Sequence, residues 1–158
     1  MNENGTSIFT SKHKEEPLID GDSGPNFIDA FNAYTPPGTI KGDLVYVHYA
    51  RVEDLRKVKE IGMDLDGKIC MARYGKIFRG NKLQNCQDAG AIGMIIFSDP
   101  GDVAVQGIEA ENVYPNTIFL PGTGVQRGST FIGDGDPLSP EWASVPNAYR
   151  YYINTCIG

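Results

Sequence analysis

The sequence predicts an α+β domain organised around a strand–helix–strand crossover. Three observations carry this expectation. Apolar stretches at residues 42–50, 67–74 and 93–99 have strand character, and the two charged stretches between them have helical spacing. Residues 100–148, by contrast, carry scattered glycine and proline with no helical periodicity. At 158 residues the chain has the size of one domain. A domain of ~150 residues buries roughly 68–70% of its unfolded surface, which is enough for a core.

Residues 1–42 are expected to form an extended arm, because SGPN and TPPGT mark turns and extended backbone in a stretch rich in Gly, Pro, Asp, Asn and Ser. GDLVYVHYA (42–50) alternates Leu44, Tyr46 and His48 with Val45, Val47 and Tyr49, apolar enough on both faces for a buried strand. In VEDLRKVKEIG, Val52, Leu55, Val58 and Ile61 recur by threes and Gly62 is a stop signal, which predicts a short amphipathic helix. DLDGKICMARYG turns at Asp66-Gly67 and runs as a strand to Tyr74. NKLQNCQDAGA reads as a helix with Leu83, Cys86 and Ala89 or Gly90 inward, and GMIIFSDP as a buried strand ended by Pro100. Residues 67–99 thus carry the signature of a right-handed βαβ crossover. One more strand is expected near NTIFL (116–120), among loops.

A formal net charge of −6 and a pI near 4.8 argue against a nucleic-acid partner, since phosphate binding needs a basic face. No apolar run approaches the ~18–20 residues that cross a bilayer, and MNENGTSIFTSKHKEEP lacks the apolar stretch of a signal peptide. The sequence as given shows no signal or anchor of its own. Cys70, Cys86 and Cys156 have no C-x-x-C spacing and are expected to act as small core hydrophobes. Asn4-Gly5-Thr6 is an N-x-T sequon, a glycosylation acceptor only in the secretory pathway.

Motifs that look chemical mostly fail at their decisive positions. Gly75 to Gly80 has the G-x-x-x-x-G spacing of a phosphate loop, but Asn81 stands where the lysine is needed and Leu83 follows Lys82 in place of a Ser or Thr. GDSGP (21–25) has the look of a protease nucleophile loop. Its serine would need a histidine base, and only His13 and His48 exist, so an Asx-type turn is the plainer reading. H-E-x-x-H is absent. No self-sufficient catalytic set is expected. What remains is a basic cluster, Arg73, Lys76, Arg79 and Lys82, in an acidic chain. Arg73, Lys76 and Lys82 read as solvated charges. Arg79, between Phe78 and Gly80, is the candidate ligand contact, because a planar guanidinium suits a two-point grip on a carboxylate.

The stretches GDLVYVHYAR, GKICMARYGKIFRGNKLQNCQDAGAIGMIIFSDP, LPGTGVQRG and GDGDPLSP together resemble one family. It is the protease-associated (PA) domain of glutamate carboxypeptidase II, the folate hydrolase and N-acetylated-α-linked acidic dipeptidase group, which includes the transferrin receptor. The similarity runs from SIF near residue 7 to NAYR at 147–150. It implies a PA-type swivelling β/β/α domain over residues 43–150, between the 1–42 arm and a divergent tail at 151–158, YYINTCIG. On that resemblance the fold looks incomplete at its C-terminus, and the chain looks like a fragment or a truncated isoform.

The resemblance also implies roles. Arg79 matches the arginine that contacts the α-carboxylate of the substrate's C-terminal glutamate. Ser129 stands where the family's enzymes have an asparagine touching the same glutamate. Ser139 and Trp142 stand where the family binds a structural calcium through a threonine and a tyrosine backbone carbonyl, its carboxylate ligands coming from the peptidase domain. The family's zinc ligands, general-base glutamate and membrane anchor lie outside the matched region. The expectation is therefore no catalytic residue and no cofactor in this chain, and zinc in the peptidase domain of the parent protein. That domain and a glutamate-terminated peptide are the expected partners, with nucleic acid excluded and a homodimer of the parent left open. The parent would be a glycoprotein on the extracellular side of the plasma membrane, with Asn4 a glycosylation site, and the chain alone would be inactive. The alternative is a receptor-like or adaptor PA domain that binds a protein. Arg79 in its RGNK context is the feature that separates the two.

Overall fold

Parallel strands cannot be joined by a tight turn, and the two helical stretches of this sequence supply the crossovers that parallel pairing needs. In the computed structural model, which describes residues 6–7, 10, 14–18 and 29–151, the sheet and its crossover helices follow in chain order: β1 (Leu44–Tyr46), α1 (Val52–Glu60), β2 (Ile69–Arg73), α2 (Arg79–Asp88) and β3 (Gly93–Phe97). The sheet order is β1-β2-β3 with both pairs parallel. The expected β2-α2-β3 crossover is present, and β1-α1-β2 repeats it.

Register decides which side chains reach the core. Val45 pairs with Cys70 and Cys70 with Met94, and these contribute to a cluster with Val47, Ala50, Leu65, Ala72 and Cys86. Leu55, Val58, Ala89 and Ala91 pack against it from the helices and their ends. Burying a Val or Leu side chain contributes ~1.5–3 kcal/mol, so this small cluster supplies most of what holds helices to sheet. Cys70 and Cys86 are free and buried, their thiols hydrogen-bonded to each other, in keeping with the core role expected of them. Cys156 lies outside the described residues.

Several expectations need correction. β1 is not buried on both faces: Leu44 and Tyr46 are 52% and 45% exposed, because β1 is an edge strand whose second face carries no layer of its own unit. β3 is likewise an edge, with Ile95 half exposed. In α1 only Leu55 and Val58 of the four apolar positions face the core, while Val52 and Ile61 are exposed. Residues spaced by three step 300° around a helix, so four of them cannot share one face. α2 begins at Arg79 rather than Asn81, and it buries Lys82 together with Cys86, which had been expected inward, while Leu83, also expected inward, is only partly buried.

The chain divides into two compact units, and the whole sheet belongs to the one formed by Asn32–Phe97 and the stretch from Ser129. The other contains Ser98–Gly128 and N-terminal residues. There a short helix α3 (Pro100–Val103) starts at Pro100, with the Asp99 side chain accepting from the Gly101 N–H at 2.8 Å as its cap. Glu15 accepts from Val125 N–H at 2.7 Å and pairs with Arg127 at 2.6 Å. No strand forms at NTIFL. Its neighbourhood is a 3-10 turn at Ala110–Asn112 and a loop closed by the Tyr114 N–H on the Phe119 carbonyl.

One position tests how tightly α2 is seated. A Cβ added to Gly80 would meet Phe78 Cε1 at 2.5 Å, the Thr130 carbonyl oxygen at 2.6 Å and Ile132 Cγ1 at 2.9 Å, whereas at Gly38 it would meet nothing. Gly80→Ala is expected to lower stability by ~1–3 kcal/mol in urea unfolding, and Gly38→Ala to leave it within about 0.5 kcal/mol. Equal effects at the two positions would contradict the packing of the 130–132 segment on α2.

Candidate carboxylate site

β2 ends at Arg73 and hands the chain to a short loop that must reverse onto α2. Gly75 (φ 97°) and Lys76 (φ 69°) take successive left-handed conformations to make that reversal. Phe78 then sits at the N-cap in extended conformation, offers no side-chain hydrogen bond to the helix, and is followed by no acidic residue in the first turn. The first N–H groups of α2 are therefore left without the usual carboxylate or hydroxyl, at the end where the helix dipole is positive.

Arg79 is the first residue of that helix. Its guanidinium carbon lies 5.8 Å from the Tyr74 ring centre and 5.7 Å from the Phe78 ring centre. Its Nε is shielded from solvent and has no hydrogen-bond partner among the described residues. A donor left unpaired in such a place costs on the order of 1–3 kcal/mol. The rings hold the guanidinium in place, and an anionic oxygen is the chemistry that would satisfy it.

The other basic residues gather around a different ring. The cationic groups of Arg51, Arg73, Lys76 and Lys82 lie 5.6, 5.3, 5.6 and 5.5 Å from the centre of the buried Tyr49 ring. Lys76 is exposed, as expected, and Arg73 Nε donates to the Tyr46 hydroxyl at 3.0 Å. The reading of Lys82 as a solvated charge is wrong. It is 0% exposed, and its ammonium donates to the Tyr49 carbonyl at 2.7 Å and the Gly75 carbonyl at 2.6 Å. Burial pushes its pKa down from the ordinary lysine value.

A network that the sequence reading missed braces the same edge. Asp54, 5% exposed, accepts from the Arg51 backbone N–H at 3.1 Å and from Arg51 Nε at 2.9 Å and Nη2 at 3.0 Å, and His48 Nδ1 lies 3.3 Å from it. Asp54 is the third residue of α1, the reciprocal position of a capping box, and that spacing from Arg51 was the available signal. Burial would push the Asp54 carboxyl up, but the bonds from Arg51 and His48 outweigh it and hold the pKa down at about 2.

The remaining candidates fall in two places. Ser129 forms a parallel bridge with Ala33, donates its hydroxyl to the Ala33 carbonyl at 3.1 Å and accepts from the Phe131 N–H at 3.0 Å. Its strand-like segment leads into Thr130 and Ile132, which pack on Gly80 next to Arg79. Ser139 and Trp142 share a turn in which the Trp142 N–H donates to the Ser139 carbonyl at 3.1 Å. The Ser139 hydroxyl is buried without a hydrogen-bond partner among the described residues, while Trp142 is 77% exposed. Asn4 lies outside the described residues, as do His13 and GDSGP. Among the described residues no three His, Cys, Asp or Glu side chains are grouped so as to hold a metal ion. A concavity of about 730 Å³ between α1 and the end of α2, lined by residues such as Leu55, Arg56, Lys59 and Asp88, takes in none of these candidates.

Comparison with known proteins places the chain. The PA domain family model matches residues 40–130, more than half of the chain. A glutamate carboxypeptidase 2 homolog of Caenorhabditis briggsae is 45% identical over 151 residues, covering 95% of this chain and 20% of its own length. The aminopeptidase NAALADL1 of Mus musculus is 37% identical over 93% of this chain and 20% of its own. The human transferrin receptor protein 2 is 33% identical over 73% of this chain and 14% of its own. The chain thus spans about one fifth of the length of the glutamate carboxypeptidase 2 homolog and of NAALADL1.

The Asp54 network generates a pH test. Its folded pKa, about 2, lies below the ordinary 3.8, so the stability it confers is complete above about pH 4 and is lost as pH falls toward 2. Asp54→Asn is expected to cost about 2 kcal/mol at neutral pH, a difference that shrinks as unfolding is measured at successively lower pH. A difference that stays constant from pH 7 to pH 2 would contradict the assignment.

Proposed function

The chain belongs to the PA domain family, and on that premise we propose that it is the PA segment of a zinc-dependent glutamate carboxypeptidase-like protein. In this reading it helps to bind the C-terminal glutamate of an acidic peptide, and the catalytic zinc site lies in the peptidase domain of the same protein. The observation that carries the reading is Arg79, with its unpaired, shielded Nε at an uncapped helix start. Relatives named as glutamate carboxypeptidases support the substrate class. A carboxylate at this place would meet the guanidinium, the open N–H groups of α2 and the positive end of its dipole together.

The other candidates take lesser roles. Ser129, its hydroxyl already engaged with Ala33 and Phe131, holds the 129–132 segment against Gly80 beside the carboxylate rather than gripping it alone. The Ser139 hydroxyl has the unmet need that a hard cation fills, and with the Trp142 carbonyl it offers two oxygens for a structural calcium. Calcium takes about 6–8 oxygens, so carboxylates from the peptidase domain would complete the site. Zinc, when bound in that domain, supplies an activated water and polarises the scissile carbonyl. Among the described residues no helix is long and apolar enough to cross a membrane. The proposed placement on the extracellular side, with Asn4 glycosylated, therefore rests on the family resemblance.

The test uses a chimera in which this chain replaces the matched 151-residue segment of the Caenorhabditis briggsae relative. Arg79→Ala is expected to lower kcat/KM for glutamate-terminated peptides by roughly ten- to a hundredfold, and Arg79→Lys by less, because lysine keeps the charge and loses the planar grip. Arg73→Ala should change it little. Unaltered discrimination between glutamate and its α-amide in Arg79→Ala would overturn the reading and favour a receptor-like module.

A further inference from the structure

We propose that Lys82 is a positioning residue for the Arg79 carboxylate grip, an inference that rests on the reading of Arg79 above. Lys82 lies one turn into α2, on the helix that Arg79 begins. Its ammonium is wholly buried, and its partners are two main-chain carbonyls, Tyr49 at 2.7 Å and Gly75 at 2.6 Å. Among the described residues it takes part in no ion pair with a carboxylate. A cation placed there is not available to a ligand, and its charge is spent on the shape of two loops.

Those loops are the ones that need holding. Tyr49 stands between His48 (φ 56°) and Ala50 (φ 54°), and Gly75 (φ 97°) precedes Lys76 (φ 69°). Left-handed conformations at non-glycine residues persist only where the surroundings over-determine them. The Gly75 carbonyl also accepts from the Ile77 N–H at 2.9 Å, so the Lys82 bond closes a ring around the segment that presents Phe78 and Arg79. Remove the ammonium and the buried Tyr49 carbonyl loses this donor while the Gly75 carbonyl keeps only the Ile77 N–H, the segment 75–78 relaxes, and the Phe78 ring and the α2 start no longer hold the guanidinium in one place. The same helix has a second tie, from Asn85 Nδ2 to the Ala50 carbonyl at 2.9 Å, which reaches the first loop and not the second. That difference separates positioning from general bracing.

In the chimera, Lys82→Met keeps the aliphatic stem and removes the donors. It is expected to lower kcat/KM for glutamate-terminated peptides by about ten- to a hundredfold, mainly through KM, and to lose discrimination against the α-amide. In an Arg79→Ala background the same substitution should add little, because both act on one contact. Asn85→Ala should lower the melting temperature and leave discrimination intact. In the chain itself, Lys82→Met should speed amide hydrogen exchange at Ile77. If Lys82→Met does not fold, Lys82→Arg carries the comparison, and it should keep the fold with discrimination reduced. Wild-type discrimination in a folded Lys82 variant, or losses that add fully to those of Arg79→Ala, would overturn the positioning role while leaving Arg79 as the grip. No effect of Arg79→Ala itself would overturn both.

Discussion

The ammonium of Lys82 has been taken out of water and given the carbonyls of Tyr49 and Gly75 in its place. The course of both loops at the carboxyl edge of the sheet follows from that exchange. Burying an ion costs several kcal/mol. Two charged hydrogen bonds at ~1.5–3 kcal/mol each, with the Tyr49 ring 5.5 Å away, roughly offset it. An interaction so nearly balanced adds little net stability, and its effect is geometric: it fixes one arrangement of β1–α1 and β2–α2 loops among the many a short loop could take.

That geometry is what gives Arg79 its character. A helix start without a cap or an acidic residue is ordinarily a weakness, and an arginine there faces a positive dipole end. Here Tyr74 and Phe78 flank the guanidinium and Nε is left without a partner among the described residues, so the local cost is concentrated where an anion would relieve it. The Asp54–Arg51–His48 network braces the neighbouring loop by opposite means, with a carboxylate that keeps its charge through hydrogen bonds. Both devices sit beyond the carboxyl ends of parallel strands, the end of an α/β unit where ligands commonly bind.

The crossover was legible because Ile69–Arg73 and Gly93–Phe97 are apolar runs bounded by Gly67, Gly75, Gly90 and Pro100, and because a helix of the right length lies between them. Membership of the PA domain family was legible in the longest blocks, and the match over residues 40–130 bears it out. Arg79 could be singled out from its neighbours Phe78 and Gly80, but its unpaired Nε depends on tertiary packing that no spacing reveals. Lys82 was misread for a general reason. A lysine in the first turns of a polar helix is nearly always solvated, and only the carbonyls brought from residues 49 and 75 make its burial tolerable. The exposed faces of β1 and β3 were hidden in the same way, since apolar character in a strand does not say which faces its own unit covers.

The most direct measurement of the central claim is the NMR signal of the Arg79 side-chain Nε–H, followed while N-acetylglutamate or its α-amide is titrated into the chimera. A saturable downfield shift of that one resonance is expected with the free α-carboxylate and none with the amide, because a shielded donor gains a charged acceptor only from the former. Equal shifts with both ligands, or a resonance that does not move with either, would contradict it.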